Sequence, residues 1–139
     1  MSRYLDTNAA VGLLTADPLS ARVRTVLRQS SEPIFISDFL GVEFSAVVSR
    51  KARAGTITRQ HALDALAALD QWSTRVSRFA LEAGDIARAD LFVRRLDLPL
   101  LAPDAIHIAI AQRLGATLVT FDRQMAAAAC SLGLAVAGA

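Results

Sequence analysis

Two rhythms of apolar residues alternate along the chain. Short runs at Arg3–Leu5 ("RYL"), Pro33–Ser37 ("PIFIS") and Thr117–Phe121 ("TLVTF") have the length of buried strands, and an Asp follows each one. Longer segments repeat apolar positions at helical spacing, which turns one helix face toward a core. Leu40, Phe44, Val47 and Val48 predict a helix over Ser37–Arg53 that stops before Gly55. Ala62, Leu63, Leu66, Ala67 and Leu69 predict another, capped by Thr58 and reaching Trp72. Further helices are expected over Asn8–Thr15 with Thr7 or Asn8 as cap, from Asp17 and Pro18 to Arg28, over Leu81–Leu96, from Pro103 to Gly115 and over Met125–Leu132. Arg75–Phe79 and Ala135–Ala137 have the character of two more strands.

Strands alternating with helices predict an α/β fold: a small central parallel sheet of about four or five strands with helices on both faces. The chain carries no internal repeat, low-complexity segment or linker, and residues 1–139 are expected to form one domain. A composition 53% apolar and 20% charged is enough for a real core. The lone Cys130 excludes an internal disulfide and any metal site built on several cysteines; it reads as a small apolar filler. Ser2 and Arg3 lead directly into the first apolar run without the pattern of a signal peptide. The charge-free stretch Gln124–Ala139 is rich in Ala and Gly, is broken by Ser131 and falls short of about 18 apolar residues, so no membrane span is expected. A reducing cytoplasm is the expected setting.

Fifteen basic residues, all Arg except Lys51, stand against 13 acids, for a net charge of +2. The excess is small, but acids gathered in one pocket would leave the remaining surface more basic and suited to a polyanion. An ordinary solvated surface accounts for the total equally well.

Four acids stand apart from the solvated helix faces. Asp6 and Asp122 end strands, Glu43 lies beside the apolar stripe of its helix, and Asp104 opens a helix that is apolar almost all round. A carboxylate in an apolar setting needs a partner or a cation. Each acid also has a plainer role open to it: Asp6 and Asp122 as caps, Asp104 at a helix dipole, Glu43 paired with an Arg. Should they converge, two carboxylates about 4 Å apart repel by roughly 4 kcal/mol at an effective dielectric near 20. A divalent cation or shared protons must then offset the repulsion. Hard oxygen ligands without a Cys or His cluster favour Mg²⁺ or Mn²⁺ over Zn²⁺. Such an ion can activate water and neutralise a phosphate, the chemistry of metal-dependent nucleases.

"YLDTN", "SDFLGVEFSAVVSR", "LAPDAIHIAIAQRLGATLVTFDRQM" and the closing "LGLAV" resemble the PIN domain, in particular the small VapC-type toxins of bacterial type II toxin-antitoxin modules. The resemblance runs through nearly the whole chain. It implies a PIN-like fold and a site of Asp6, Glu43, Asp104 and Asp122. In that site Asp6 and Asp104 are the leading metal ligands, and Glu43 and Asp122 complete the shell directly or through water. Thr7, Asn8 and Thr120 match the family's polar supporting positions. The implied activity is Mg²⁺- or Mn²⁺-dependent endoribonuclease cleavage that leaves a 5′ phosphate and a 3′ hydroxyl. The implied partners are an RNA substrate and a VapB-type antitoxin that alone reads DNA. A homodimer is also implied, with the region Ser37–Trp72 helping to form interfaces.

His107, three residues after Asp104, reads as a hydrogen-bonding or packing residue rather than a metal ligand, and His61 as exposed. Asp38 reads as a cap, and Asp90 as a residue that could approach the site. Arg50, Lys51, Arg53, Arg94 and Arg95 are candidates for RNA phosphates, while Trp72 and the Phe residues read as core. A haloacid-dehalogenase phosphatase would need a second Asp where Asn8 stands, and a receiver domain would need paired early acids and a late Lys. The alternative from another class is a PIN-like module that binds RNA or protein without catalysis; retention of all four acids argues against it.

Overall fold

The computed structural model describes residues Met1–Ala139. The chain runs β1 (Arg3–Leu5), α1 (Thr7–Leu14), α2 (Ser20–Arg28), β2 (Ile34–Ser37), α3 (Asp38–Arg53), α4 (Arg59–Ser73), β3 (Ser77–Phe79), α5 (Ala83–Val93), α6 (Ala102–Arg113), β4 (Thr117–Thr120), α7 (Arg123–Ser131) and β5 (Val136–Gly138). The expected elements are all present, with shifts at their ends that side-chain chemistry explains. Neither Thr7 nor Asn8 caps α1; the Asp6 carboxylate does, by accepting the Ala9 amide at 2.8 Å. Asp17 and Pro18 belong to a turn in which Asp17 accepts the Leu19 amide, so α2 begins only at Ser20. Ser37, rather than Asp38, caps α3. Asp38 occupies the first turn and pairs with Arg78 at 2.6 Å.

All five strands are parallel, in the order β3-β2-β1-β4-β5. The chain builds outward from β1 to β2 and β3, then returns to the other side of β1 for β4 and β5. The order therefore reverses between β1 and β4. Open α/β sheets bind ligands at such a reversal, outside the carboxyl ends of the strands. Register places Leu5 opposite Val119, and the Asp6 amide donates to the Val119 carbonyl at 3.2 Å, so the two central strands end side by side.

Alternation along these strands divides the core between two faces. Tyr4 and Leu118 pack with Ile108, Ala109, Phe92 and Met125 on the side of α5, α6 and α7. Leu5, Ile36 and Val119 pack with Leu40, Phe44 and Val48 on the side of α1, α3 and α4. Trp72 joins the second cluster and Phe44 and Phe92 are buried, as the sequence predicts. Gly12 lets α1 approach α2: a Cβ there would stand 2.9 Å from Val23 Cγ2. Cys130 is exposed rather than a core filler, because α7 buries Met125, Ala126, Ala128 and Ala129 and turns position 130 outward.

One ion pair ties α5 to α6. Arg113 donates to both oxygens of Asp85, at 2.7 and 2.9 Å, and Asp85 also accepts the Glu82 amide. Burial alone would push the Asp85 carboxyl up, but the Arg113 and Glu82 hydrogen bonds and the Arg113 charge hold it below its ordinary value. Its contribution to stability is thus present above the ordinary carboxylate range and is lost as pH falls through the lowered value. Arg113→Ala leaves a buried carboxylate unpaired and is expected to cost on the order of 3 kcal/mol at neutral pH. In urea melts followed by circular dichroism, its deficit relative to the parent chain should shrink as the solution is acidified.

Candidate active site

Two of the four acids owe their positions to the sheet. Asp6 leaves β1 and caps α1 through Oδ1; Asp122 follows β4 and caps α7, its Oδ1 accepting the Met125 amide at 2.9 Å. In each, one oxygen is committed to the scaffold, which leaves the second outside the cap. Thr120 is buried at the end of β4, where its hydroxyl accepts the Asp122 amide at 3.2 Å. Asn8 points outward and is exposed, while Thr7 is buried.

Glu43 comes from the middle of α3 and is held by two other helices. Thr7 Oγ1 donates to Glu43 Oε1 at 2.7 Å, and His107 Nε2 lies 2.5 Å from the same oxygen. His107 Nδ1 meets the Tyr4 hydroxyl at 2.7 Å, and that hydroxyl meets Ser37 Oγ at 2.8 Å. His107 therefore takes the expected hydrogen-bonding role. Tyr4 and Ser37 are the functional neighbours that sequence reasoning missed: one read as strand core, the other as a strand end. The only signal lay in a buried Tyr, whose hydroxyl must find a partner.

Asp104 enters from the first turn of α6 and brings the fourth charge. Its carboxyl is raised by burial and by repulsion from Asp122, Asp6 and Glu43, against a lowering influence of His107. Asp6, 3% exposed, is raised by burial and by Asp122, against the Thr120 hydroxyl, the Ala9 amide and His107. Glu43 goes the other way: burial would raise it, but His107 and Thr7 hold it below its ordinary value. The fold thus brings the four acids into one another's fields, with two carboxylates disfavoured as anions.

As the side chains stand, no three of these groups approach closely enough to ligate one ion together, so a dication held by two of the carboxylates would draw the rest of its shell from water. The donor set still fits a hard dication. It consists of carboxylate oxygens, and the two nitrogens of the nearby imidazole are both engaged in hydrogen bonds.

The other sequence candidates lie elsewhere or are already paired. Asp90 is exposed on α5 and pairs with Arg94 at 2.8 Å; Arg95 pairs with Asp97 and Lys51 with Asp17. His61 is exposed and borders a groove of about 400 Å³ lined by Val11, Leu14, Val48, Ile57 and Ala65, among others, away from the four acids.

The PIN domain model matches residues 3–129. The chain belongs to the PIN-domain family. Within that family it is 36% identical to Ribonuclease VapC46 of Mycobacterium tuberculosis over 136 residues, 96% of this chain and 94% of that protein. Two solved structures share the fold at lower identity. M. tuberculosis VapC20, described as a sarcin-ricin loop cleaving toxin, superposes with a TM-score of 0.73 at 20% identity, covering 91% of this chain and 95% of its own. VapBC2 of Rickettsia felis, bound to a promoter DNA fragment, gives 0.68 at 18% identity, covering 98% and 97%. The expected fold is a small parallel sheet of about four or five strands flanked by helices, and the observed sheet has five.

A raised carboxyl binds a proton more tightly in the folded than in the unfolded chain. Stability then falls as pH rises from the ordinary carboxylate value through the raised one. Ionised Asp104 therefore weakens the metal-free protein at neutral pH. Asp104→Asn is expected to raise the melting temperature in EDTA at pH 7 by about 3–5 °C, read by calorimetry, with the gain fading in acid.

Proposed function

We propose that this chain is a metal-dependent endoribonuclease, the toxin of a toxin-antitoxin pair, acting over residues 1–139 as one domain at Asp6, Glu43, Asp104 and Asp122. The observation that carries the reading is that acids from four separate segments lie in one another's fields at the reversal of strand order. Family membership supports it, as does the likeness to a protein named a ribonuclease.

Asp6 and Asp104 would hold Mg²⁺ or Mn²⁺, with Glu43 and Asp122 completing the shell directly or through water. When bound, the ion supplies charge neutralisation at the scissile phosphate and a route to an activated water. The chain's own residues do the rest. The cap geometry fixes Asp6 and Asp122 on the two central strands, so the site sits on rigid elements. Thr7 and His107 keep Glu43 anionic and in one orientation, while Thr120 supports Asp6 and the backbone of Asp122. Asn8 stands at the rim. Both nitrogens of His107 are engaged in hydrogen bonds, so the proton released by the attacking water would pass to solvent water rather than to this histidine.

The substrate in this reading is RNA, attacked in line at a phosphodiester to leave a 5′ phosphate and a 3′ hydroxyl. Arg50 and Arg53, which form no ion pair in this structure, are the free cations of the α3 end of the surface. A VapB-type antitoxin is the protein partner, with DNA contacted through it, and the toxin works as a cytoplasmic homodimer. No helix is long and apolar enough to cross a membrane.

Asn keeps the cap at position 6 but not the charge. Asp6→Asn should therefore fold normally and lose cleavage of total bacterial RNA by at least about 100-fold in Mg²⁺ or Mn²⁺. EDTA should abolish cleavage by the parent chain. Equal cleavage by both proteins would refute the role of Asp6.

A further inference from the structure

We propose that His107 is a positioning residue for Glu43, fixed in turn by a buried hydrogen-bond chain through Tyr4 and Ser37 to the first turn of α3. The inference rests on reading Glu43 as part of the metal site. His107 is 2% exposed, and its Nε2 lies 2.5 Å from a carboxylate oxygen. Two lone pairs cannot face each other at that distance, so Nε2 carries the hydrogen and donates it to Glu43 Oε1. In the neutral ring a hydrogen on Nε2 leaves Nδ1 to accept, and the Tyr4 hydroxyl, 2.7 Å away, is then its donor. Tyr4 oxygen then accepts from Ser37 Oγ at 2.8 Å, and Ser37 Oγ accepts the Leu40 amide at 3.1 Å. The chain reads in one direction, and no buried side-chain polar atom is left without a partner.

The consequence falls on one carboxylate. Thr7 from α1 and His107 from α6 both meet Oε1 of a residue on α3, so three helices fix its rotation and leave Oε2 without a protein hydrogen bond, the oxygen that would be available to a dication. The imidazole is further held between aromatic rings, Phe39 at 5.1 Å and Tyr4 at 5.7 Å between centroids. Groups that orient a ligating carboxylate are part of a metal site's function even though they never touch the ion.

Three substitutions and one spectrum test this. Gln at position 107 carries an amide N–H to where Nε2 lies, whereas Asn reaches only to the level of Nδ1. In the folded protein, His107→Asn should weaken Mn²⁺ binding, by titration calorimetry with the metal alone, and RNA cleavage, each by about 10–100-fold. His107→Gln should restore both to within a few-fold of the parent chain. Independently of any activity, ¹⁵N NMR of the metal-free parent chain should show a protonated ε2 and an unprotonated δ1 nitrogen at His107. A ring protonated at δ1 but not at ε2, or equal loss in the Gln and Asn variants, would overturn the positioning role. Full activity of His107→Asn beside an inactive Asp6→Asn would overturn it too, with the metal-site reading left standing. Full activity of Asp6→Asn would overturn the site reading itself.

Discussion

Parallel pairing obliges β1 to finish level with β4, because Arg3, Tyr4 and Leu5 are matched to Thr117, Leu118 and Val119 and the Asp6 amide closes the ladder on Val119. Whatever follows these two strands is brought to the same edge of the sheet, beneath the helices they launch. In this chain both are followed by an Asp that caps the next helix. One feature of the backbone thus performs two tasks: it satisfies helix N-termini and plants two carboxylates where the strand order reverses. Glu43 and Asp104 reach the same place from α3 and α6.

The four acids are not equivalent, and the difference has a plain origin in hydrogen bonding. Glu43 receives two donors on one oxygen and is held below its ordinary value, while Asp104 has mainly burial and like charge around it and is held above. Asp6 is an intermediate case: hydrogen-bonded, yet buried deeply enough that desolvation prevails. Such an arrangement keeps one anion firmly in place and leaves two others in need of positive charge. The fold tolerates this because the rest of the structure does not share the strain. The apolar clusters on the two faces are continuous, and the deepest acid away from the site, Asp85, is paired with Arg113.

Much of this was legible in the sequence. "PIFIS" and "TLVTF" read as strands because a continuous apolar run suits a sheet covered on both faces, and the spacing of Leu40, Phe44 and Val48 gave α3 its buried stripe. The ends of elements were less legible, because local chemistry competes there. Asp17 closes a turn on Leu19 and delays α2, and Asp85 accepts the Glu82 amide and so starts α5 at Ala83 rather than Leu81. Asp6 and Asp122 stood out at strand ends, Asp104 at a helix start, and Glu43 by lying beside the apolar stripe of its helix. The chain that orients Glu43 was not legible, since Tyr4 and Ser37 are 33 residues apart and Tyr4 and His107 are 103 apart. Hydrophobic periodicity reports which side of an element is buried, but it is silent on which hydroxyl meets which imidazole across two layers.

Binding of a hard dication by Asp6, Glu43, Asp104 and Asp122 is the step on which the proposed activity depends. It is tested most directly by growing crystals with Mn²⁺ and locating the ion by its anomalous scattering. Density is expected about 2.1 Å from carboxylate oxygens of Asp6 and Asp104, with Glu43 still hydrogen-bonded to His107. An ion bound elsewhere, or a site that stays empty at saturating Mn²⁺, would contradict it.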